Sequence, residues 1–214
     1  FVSKWYVFST LTSRYITSPE SVMDLDIRRI AEKGFLEYFK EMEESNLSDT
    51  FWEIGLVQDL ETSAINSPFF NVFLAAQVHG SDNSLLMNGT KVRDLITTMG
   101  DIHHIFPKGY LQKNGITDKS KYNQIANYTY LDTQTNISIG EKAPNEYFKT
   151  VFEQCVSKEM KFGNISDTAL LKENLSVNSI PENIISMDAT HYEDFLLERR
   201  KLMAKKIKDY YYSL

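Results

Sequence analysis

Apolar residues recur at helical spacing through the first 80 residues of the chain. The segment from Lys4 to Tyr15 carries four large residues on one face: Trp5, Phe8, Leu11 and Tyr15. Ser18 and Pro19 are typical of a helix start, because serine can cap a helix and proline fits its first position. Further helices are predicted from Ser18 to about Gly34, from Phe35 to Met42, from Ser48 to Leu60 and from Phe69 to Val78. We therefore predict an α-helical bundle for this region.

The rest of the chain contains three further helical patterns. A short helix is predicted over Thr90–Met99, and a further helix is predicted over Pro144–Val156. Thr190–Glu193 has the pattern of a capping box and should open a long helix that reaches Tyr210. Between Phe162 and Pro181 the sequence is polar and interrupted, so we expect only short helical pieces there.

A different pattern separates these helices between residues 101 and 148. A short apolar run ends in His103 and His104, and a second strand-like run, Tyr128–Leu131, follows a loop. Asp132 is a plausible N-cap for a helix that carries Asn136. Adjacent side chains on a strand point to opposite faces, so the two histidines cannot do the same work. One imidazole could bind a metal while the other faces a substrate.

This order of strand, loop, strand and helix resembles the HNH (ββα-metal, His-Me finger) nucleases. Three runs are similar to the C-terminal nuclease region of GmrSD-type modification-dependent (type IV) restriction endonucleases: His-His-Ile-Phe-Pro-Lys, Tyr-Asn-Gln-Ile-Ala-Asn-Tyr and Lys-Ala-Pro-Asn-Glu-Tyr-Phe. The upstream runs at Leu11, Ser18 and Leu60 also fit the helical middle region of those proteins. The expected fold is mainly α with a small embedded α+β unit, a helical bundle plus the ββα-metal fold. The expected parts are a bundle over 1–95, a nuclease core over 96–160 and a C-terminal helical segment over 161–214.

The resemblance implies a role for each polar residue of this stretch. His104 would be the general base, and His103 with Asn136 would bind the metal. Asn127 would orient the base or brace the loop, a role for which Asn123 competes. Three lysines are candidates for contact with phosphate: Lys108, Lys113 and Lys142. Asp101 is a candidate hydrogen-bond partner for one of the histidines.

The implied chemistry is hydrolysis of a DNA phosphodiester with a divalent metal cofactor. Mg²⁺ is the usual ion of the family, and products with 5′-phosphate and 3′-hydroxyl ends are expected. Many HNH nucleases have aspartate where this chain has His103, which makes the site less negative and favours Mn²⁺ or another transition ion. Two alternatives stay open: an RNase, and a non-catalytic nucleic-acid-binding or scaffolding domain that keeps the ββα fold.

Charge is distributed unevenly along the 214 residues. The formal net charge is −6, which by itself disfavours nucleic-acid binding. Glu20–Glu61 holds twelve acidic residues against four basic ones, whereas Asp101–Thr150 holds six lysines against five acidic residues. The run Arg199–Lys208 has six bases and no acid; we expect it to be a solvated helix face, with nucleic-acid contact as the alternative. The net charge therefore reflects the N-terminal region and leaves DNA binding open.

The remaining features bound the location and the partners. Cys155 is the one cysteine, expected in the core, and indicates a reducing, cytoplasmic location. No apolar run has membrane-spanning length. The resemblance implies an N-terminal, nucleotide-dependent sensor domain outside these residues, since no phosphate-binding glycine loop is found here. A double-strand break would need a homodimer or two successive nicks. His79 and His191 are expected to be structural.

Overall fold

A computed structural model of the chain describes residues 1–98 and 102–214. These residues form twelve α-helices: α1 Val2–Leu11, α2 Pro19–Lys33, α3 Phe35–Asn46, α4 Leu56–Asp59, α5 Pro68–His79, α6 Val92–Thr97, α7 Lys108–Lys113, α8 Lys119–Tyr122, α9 Thr133–Ile139, α10 Pro144–Ser157, α11 Thr168–Val177 and α12 Tyr192–Ser213. The strands β1 Ile102–His104 and β2 Tyr128–Tyr130 form a two-stranded antiparallel sheet. A mainly helical fold with a small α+β unit is thus confirmed, while the division into three parts stays a prediction.

The prolines and caps place several helices where the sequence predicts them. Pro19 and Pro68 begin α2 and α5, and Gly34 ends α2 with a φ of 85°. Asp132 caps α9, because its carboxylate accepts a hydrogen bond from the backbone N–H of Thr135 at 2.9 Å. These signals are local, so they survive whatever the rest of the chain does.

Several predictions about the helices differ from the structure. The first helix ends at Leu11 instead of Tyr15, because Ser13 takes a φ of 52° in the turn that follows. The polar stretch after Phe162 contains the ten-residue α11, capped by the Asp167 side chain. Asp188 caps the 3₁₀ turn Ala189–His191, and its carboxylate accepts from the Thr190 N–H at 2.9 Å. Thr190 is therefore not the cap, and α12 begins at Tyr192.

A buried ion pair ties the first three helices together. Asp26, 3% exposed, is the buried residue of α2. Its carboxylate accepts hydrogen bonds from the Arg14 guanidinium, from Tyr15 at 2.7 Å and from Tyr38 at 2.7 Å. Burial alone would raise the pKa of Asp26, but these three donors outweigh it and hold the pKa below its ordinary value. The turn after α1 therefore docks on α2 and α3 through charge.

The helix α12 packs against the turn that follows β1. Phe106 lies in that turn, and its ring centroid is 4.8 Å from that of Phe195 and 5.2 Å from that of Tyr192. Both partners belong to α12 and are buried, as is Phe106. The C-terminal helix thus forms one wall of the hairpin's surroundings.

Candidate functional site

The hairpin separates the two histidines, as strand geometry requires. His103 pairs with Thr129 and His104 with Tyr128 in the antiparallel register. The His103 side chain is 3% exposed and faces α9 and the ring of Tyr147, whereas His104 is half-buried on the other face. The pair therefore serves two separate environments.

His103 contacts Asn136 directly. The Nδ1 atom of His103 and the Oδ1 atom of Asn136 are 2.7 Å apart, so the imidazole N–H donates to the amide oxygen. Burial lowers the pKa of His103 to about 4, against a smaller raising effect of this hydrogen bond, so the ring is neutral at pH 7. Its Nε2 atom is buried and has no hydrogen-bond partner among the described residues. An unpaired buried nitrogen of this kind suggests a role beyond packing.

These two residues fit a divalent ion. A neutral imidazole nitrogen and an amide oxygen are both metal ligands, and Nδ1 would bind an ion in the tautomer whose proton lies on Nε2, in place of its hydrogen bond to Asn136. Neighbouring ligand atoms of a six-coordinate ion lie about 3 Å apart, close to the separation of His103 Nδ1 and Asn136 Oδ1. Within residues 1–98 and 102–214, however, no group of three or more His, Cys, Asp or Glu side chains converges. An ion here would take most of its ligands from water and substrate.

His104 is oriented by Asn123. The Nε2 atom of His104 lies 3.0 Å from the Oδ1 atom of Asn123, and the Tyr128 ring packs edge-on at 4.9 Å between centroids. A neutral imidazole that donates from Nε2 to an amide oxygen carries its lone pair on Nδ1. Burial and the Lys108 ammonium lower the pKa of His104, while the Asn123 hydrogen bond opposes them. The ring is therefore neutral near pH 7 and able to accept a proton.

Asn127 braces the loop instead of contacting a histidine. Its side chain is fully buried; the amide oxygen accepts from the Phe106 N–H at 2.8 Å, and the amide nitrogen donates to the carbonyls of Phe106 and Tyr122. Of the two roles that the sequence leaves open, Asn127 takes the bracing and Asn123 the orienting. The 3₁₀ turn Ile125–Asn127 determines this assignment of roles, because it places Asn127 in the core.

One of the three candidate lysines lies beside the site. Lys108 is exposed, its ammonium lies 5.4 Å from the Tyr122 ring centre, and its charge acts on His104. Lys113 instead forms an ion pair with Glu141. Lys142 donates to the carbonyls of Ser138 at 3.0 Å and Ile139 at 3.3 Å and so caps the end of α9. Of the three lysines, Lys108 is therefore the best placed beside His104, and phosphate contact stays a prediction.

The basic run Arg199–Lys208 is a solvated face only in part, because Lys201 and Lys205 are exposed whereas the two arginines are buried. Arg199 is fully buried, and Arg200 is 8% exposed and paired with Glu61. Three lysines of the run pair with aspartates: Lys205 with Asp209, Lys206 with Asp82 and Lys208 with Asp49. These pairs reduce the positive charge that the helix offers to a nucleic acid.

Other predicted residues have simple outcomes. Asp101 lies outside the described residues. Cys155 is 4% exposed, which confirms its place in the core. His191 pairs with Asp188 in an exposed turn, and His79 packs against the Tyr210 ring at 5.2 Å. His79 ends α5 and His191 precedes α12, so neither belongs to the two-stranded sheet.

Sequence reasoning missed two exposed lysines next to the site. Lys119 and Lys121 are on α8, the one-turn helix that leads directly into Asn123. The side chain of Asp118 caps this turn by accepting from the Ser120 N–H at 2.8 Å. An aspartate two residues before a serine is typical of the start of a turn. Asp118 could therefore have predicted the helical turn that carries these two lysines.

No family model and no solved structure matches the chain. An uncharacterized protein of the archaeon Methanocaldococcus jannaschii is 25% identical to it over 222 aligned residues. The alignment covers 96% of this chain and 36% of that relative, so the chain spans about a third of the relative's length. Among the described residues, none of the helices combines the length and apolarity needed to cross a membrane.

Proposed function

We propose that this chain is a metal-dependent endonuclease of the HNH, ββα-metal type that hydrolyses DNA, the effector part of a restriction or phage-defence protein. One observation carries the proposal: a β-hairpin followed by a helix holds a neutral His104 on one face and the His103–Asn136 pair on the other. Phosphodiester hydrolysis needs a general base and metal ligands near one phosphate, and His104 and His103 are adjacent residues of one three-residue strand.

In this mechanism His104 takes a proton from water. The water oxygen forms a bond to phosphorus while the bond from phosphorus to the 3′-oxygen breaks, and the proton moves to Nδ1 of His104. Asn123 holds the imidazole by its Nε2 atom, so Nδ1 keeps a lone pair directed away from the protein partner. The leaving oxygen takes a proton from solvent, which gives 5′-phosphate and 3′-hydroxyl ends.

His103 and Asn136 would hold the divalent ion. When bound, the ion supplies positive charge that stabilises the negative charge developing on the leaving oxygen. Two uncharged ligands fit Mn²⁺ or another transition ion better than Mg²⁺, which prefers carboxylate oxygens.

The deciding experiment is nicking of supercoiled plasmid by the purified chain in Mg²⁺, Mn²⁺ or EDTA. The proposal expects nicking that EDTA abolishes, and ligation of the nicked product confirms the 5′-phosphate and 3′-hydroxyl ends. An RNA of matched length in the same buffers separates a DNase from an RNase. If titration calorimetry with Mn²⁺ shows no binding and DNA stays intact, a non-catalytic ββα domain replaces the nuclease.

We further propose that target selection lies in another part of a longer polypeptide, in a nucleotide-dependent sensor domain. The support is that the archaeal relative is nearly three times as long as the segment it shares with this chain, since the alignment covers 36% of it. Double-strand cleavage by a site that cuts one strand would then come from a dimer or from successive nicks.

Replacing Asn136 with alanine is expected to raise the Mn²⁺ concentration that gives half-maximal cleavage by about tenfold or more. The change removes the amide oxygen beside His103 Nδ1 and leaves that buried N–H without an acceptor, so the free energy of unfolding should fall by about 1–3 kcal/mol. Cleavage titrated with Mn²⁺ and a thermal melt measure the two effects. Gln134→Ala, at an exposed position of the same helix, is the matched control. An unchanged metal midpoint would remove Asn136 from the ligand set.

Replacing Lys108 with glutamine is expected to weaken DNA binding by about three- to tenfold and to lower the salt slope of log Kd by about 1. The reason is that its ammonium lies beside His104 and can contact a phosphate. Lys113→Gln should change both quantities less, since an exposed ion pair with Glu141 offsets part of the charge of Lys113. Fluorescence anisotropy with a DNA duplex at several salt concentrations measures them, and equal effects of the two variants would contradict this assignment.

A further inference from the structure

Arg199 is the largest fully buried side chain of the described residues, and it contacts backbone carbonyls. From the middle of α12, its Nη1 atom donates to the carbonyl oxygens of Ala126 at 2.8 Å and Tyr128 at 2.7 Å. Its Nη2 atom donates to the carbonyl oxygen of Asn178 at 3.3 Å. One guanidinium thus joins the last helix to both ends of the turn that enters β2.

The charge of Arg199 is compensated by carbonyl dipoles alone. Burial lowers the pKa of Arg199 to about 9, so the side chain stays charged near pH 7. No described carboxylate forms an ion pair with it, whereas the next residue, Arg200, lies 3.3 Å from Glu61. A buried charge without a counterion is costly, and an apolar side chain of the same size would fill the space at lower cost. What an arginine adds here beyond packing is donors for three backbone carbonyls.

The carbonyls that Arg199 holds flank the residues that set His104. Between Ala126 and Tyr128 lies Asn127, whose carbonyl accepts from the Ile105 N–H at 2.9 Å and whose side chain bonds both backbone groups of Phe106. Tyr128 itself packs its ring edge against the His104 imidazole. A shift of this backbone would therefore displace His104 through two contacts, the hydrogen bond to Ile105 and the packing of the Tyr128 ring.

We propose that Arg199 is a positioning residue for the general base, acting through the backbone of Ala126–Tyr128 on His104. The proposal rests on the proposed nuclease function for its kinetic consequence. It makes the C-terminal helix a working part of the site, although no atom of that helix is assigned to touch substrate.

The kinetic test compares Arg199→Lys with Arg199→Met, and Arg200→Lys serves as the matched control. A lysine keeps the charge but reaches fewer carbonyls, so kcat for plasmid nicking should fall roughly tenfold to a hundredfold while KM stays within about twofold. Methionine should lose more activity than lysine, since it donates to none of the three carbonyls. Arg200→Lys should keep wild-type kcat. A kcat of Arg199→Lys equal to the wild-type value would overturn the proposal.

A second readout does not depend on activity. Amide hydrogen exchange should accelerate by tenfold or more at Ile105 and Phe106 in Arg199→Lys. Both amides donate to Asn127, and these hydrogen bonds should open more often when the backbone around Asn127 is held less firmly. The NMR titration of His104 should shift with it, and amides in α2 should exchange as in the wild type. Unchanged exchange at Ile105 and Phe106 would overturn the positioning role even where wild-type cleavage is absent. Absent cleavage with accelerated exchange would reject the nuclease alone.

Discussion

Replacing His104 with alanine is expected to slow DNA cleavage by about a thousandfold, within the range of roughly 10²–10⁴ that a general base contributes. The side chain lies on the surface-facing side of a three-residue strand, half-buried and hydrogen-bonded only at Nε2 to Asn123. Its loss therefore leaves no buried group without a partner and should change the melting temperature little. Rates of plasmid nicking under single-turnover conditions, together with calorimetric Mn²⁺ binding, measure the two properties separately.

His191→Ala is the matched control for this change. His191 is partly exposed in a turn and paired with Asp188, so its loss should leave the rate unaltered. The pH profile gives an independent sign. Because the pKa of His104 lies below its ordinary value, the wild-type rate should rise with pH through the acidic range and be level at neutral pH. A His104→Ala variant that still cleaves at the wild-type rate would reject the base assignment.

Replacing Asp26 with alanine is expected to lower the free energy of unfolding by about 3–5 kcal/mol, the usual cost of removing one partner of a buried ion pair. The variant leaves the Arg14 guanidinium largely buried, with a side chain 14% exposed, and removes the acceptor for two tyrosine hydroxyls. Urea unfolding followed by circular dichroism measures the change. Asp24→Ala, two residues earlier on the same helix, removes an exposed pair with Arg28 and should cost well under about 1 kcal/mol.

Acid should remove the same stability from the wild type. The pKa of Asp26 is below its ordinary value of 3.8 in the folded chain, so this carboxylate favours the folded state at every pH above that value. As pH falls toward and below the folded pKa, the unfolded chain takes up the proton first and the contribution disappears. The gap between wild type and Asp26→Ala should therefore narrow in acid. A gap that stays constant from pH 7 to pH 3 would contradict the ion-pair explanation.

Local signals explain how much of the fold could be predicted. Proline at the first position of α2 and α5, Asp132 as a cap and the strand alternation around His103 act over a few residues, and the structure agrees with each. The helix α11 was missed because its capping signal, Asp167, stands among polar residues that mask the helical spacing. Thr190 was mistaken for a cap: its hydroxyl donates to the Asp188 carboxylate at 2.6 Å instead of accepting from the helix.

The candidate site needed tertiary contacts that no local pattern carries. Asn123 and Asn127 are four residues apart, and only the 3₁₀ turn between them decides which one reaches His104. Lys113 resembles Lys108 in sequence, but Glu141, twenty-eight residues later, forms an ion pair with it. Such choices depend on neighbours that are distant along the chain.

One missed residue did leave a trace in the periodicity. Phe195, Arg199 and Met203 recur every four residues, so the arginine lies on the buried stripe of α12. The run of positive charge drew attention to composition, whereas the spacing indicated burial. Position on a helix face was the better guide to this arginine.

The dependence of the hairpin on α12 has a consequence for synthesis of the protein. Ribosomes make the chain from the N-terminus, and Phe106 finds its partners Tyr192 and Phe195 only after the last helix is complete. The carbonyls of Ala126 and Tyr128 likewise receive their hydrogen bonds only once Arg199, more than seventy residues downstream, has been made. A nascent chain therefore carries both histidines long before it carries their finished setting. For the nuclease proposed above, a translation product that stops early would lack the assembled site and would spare the host's own DNA.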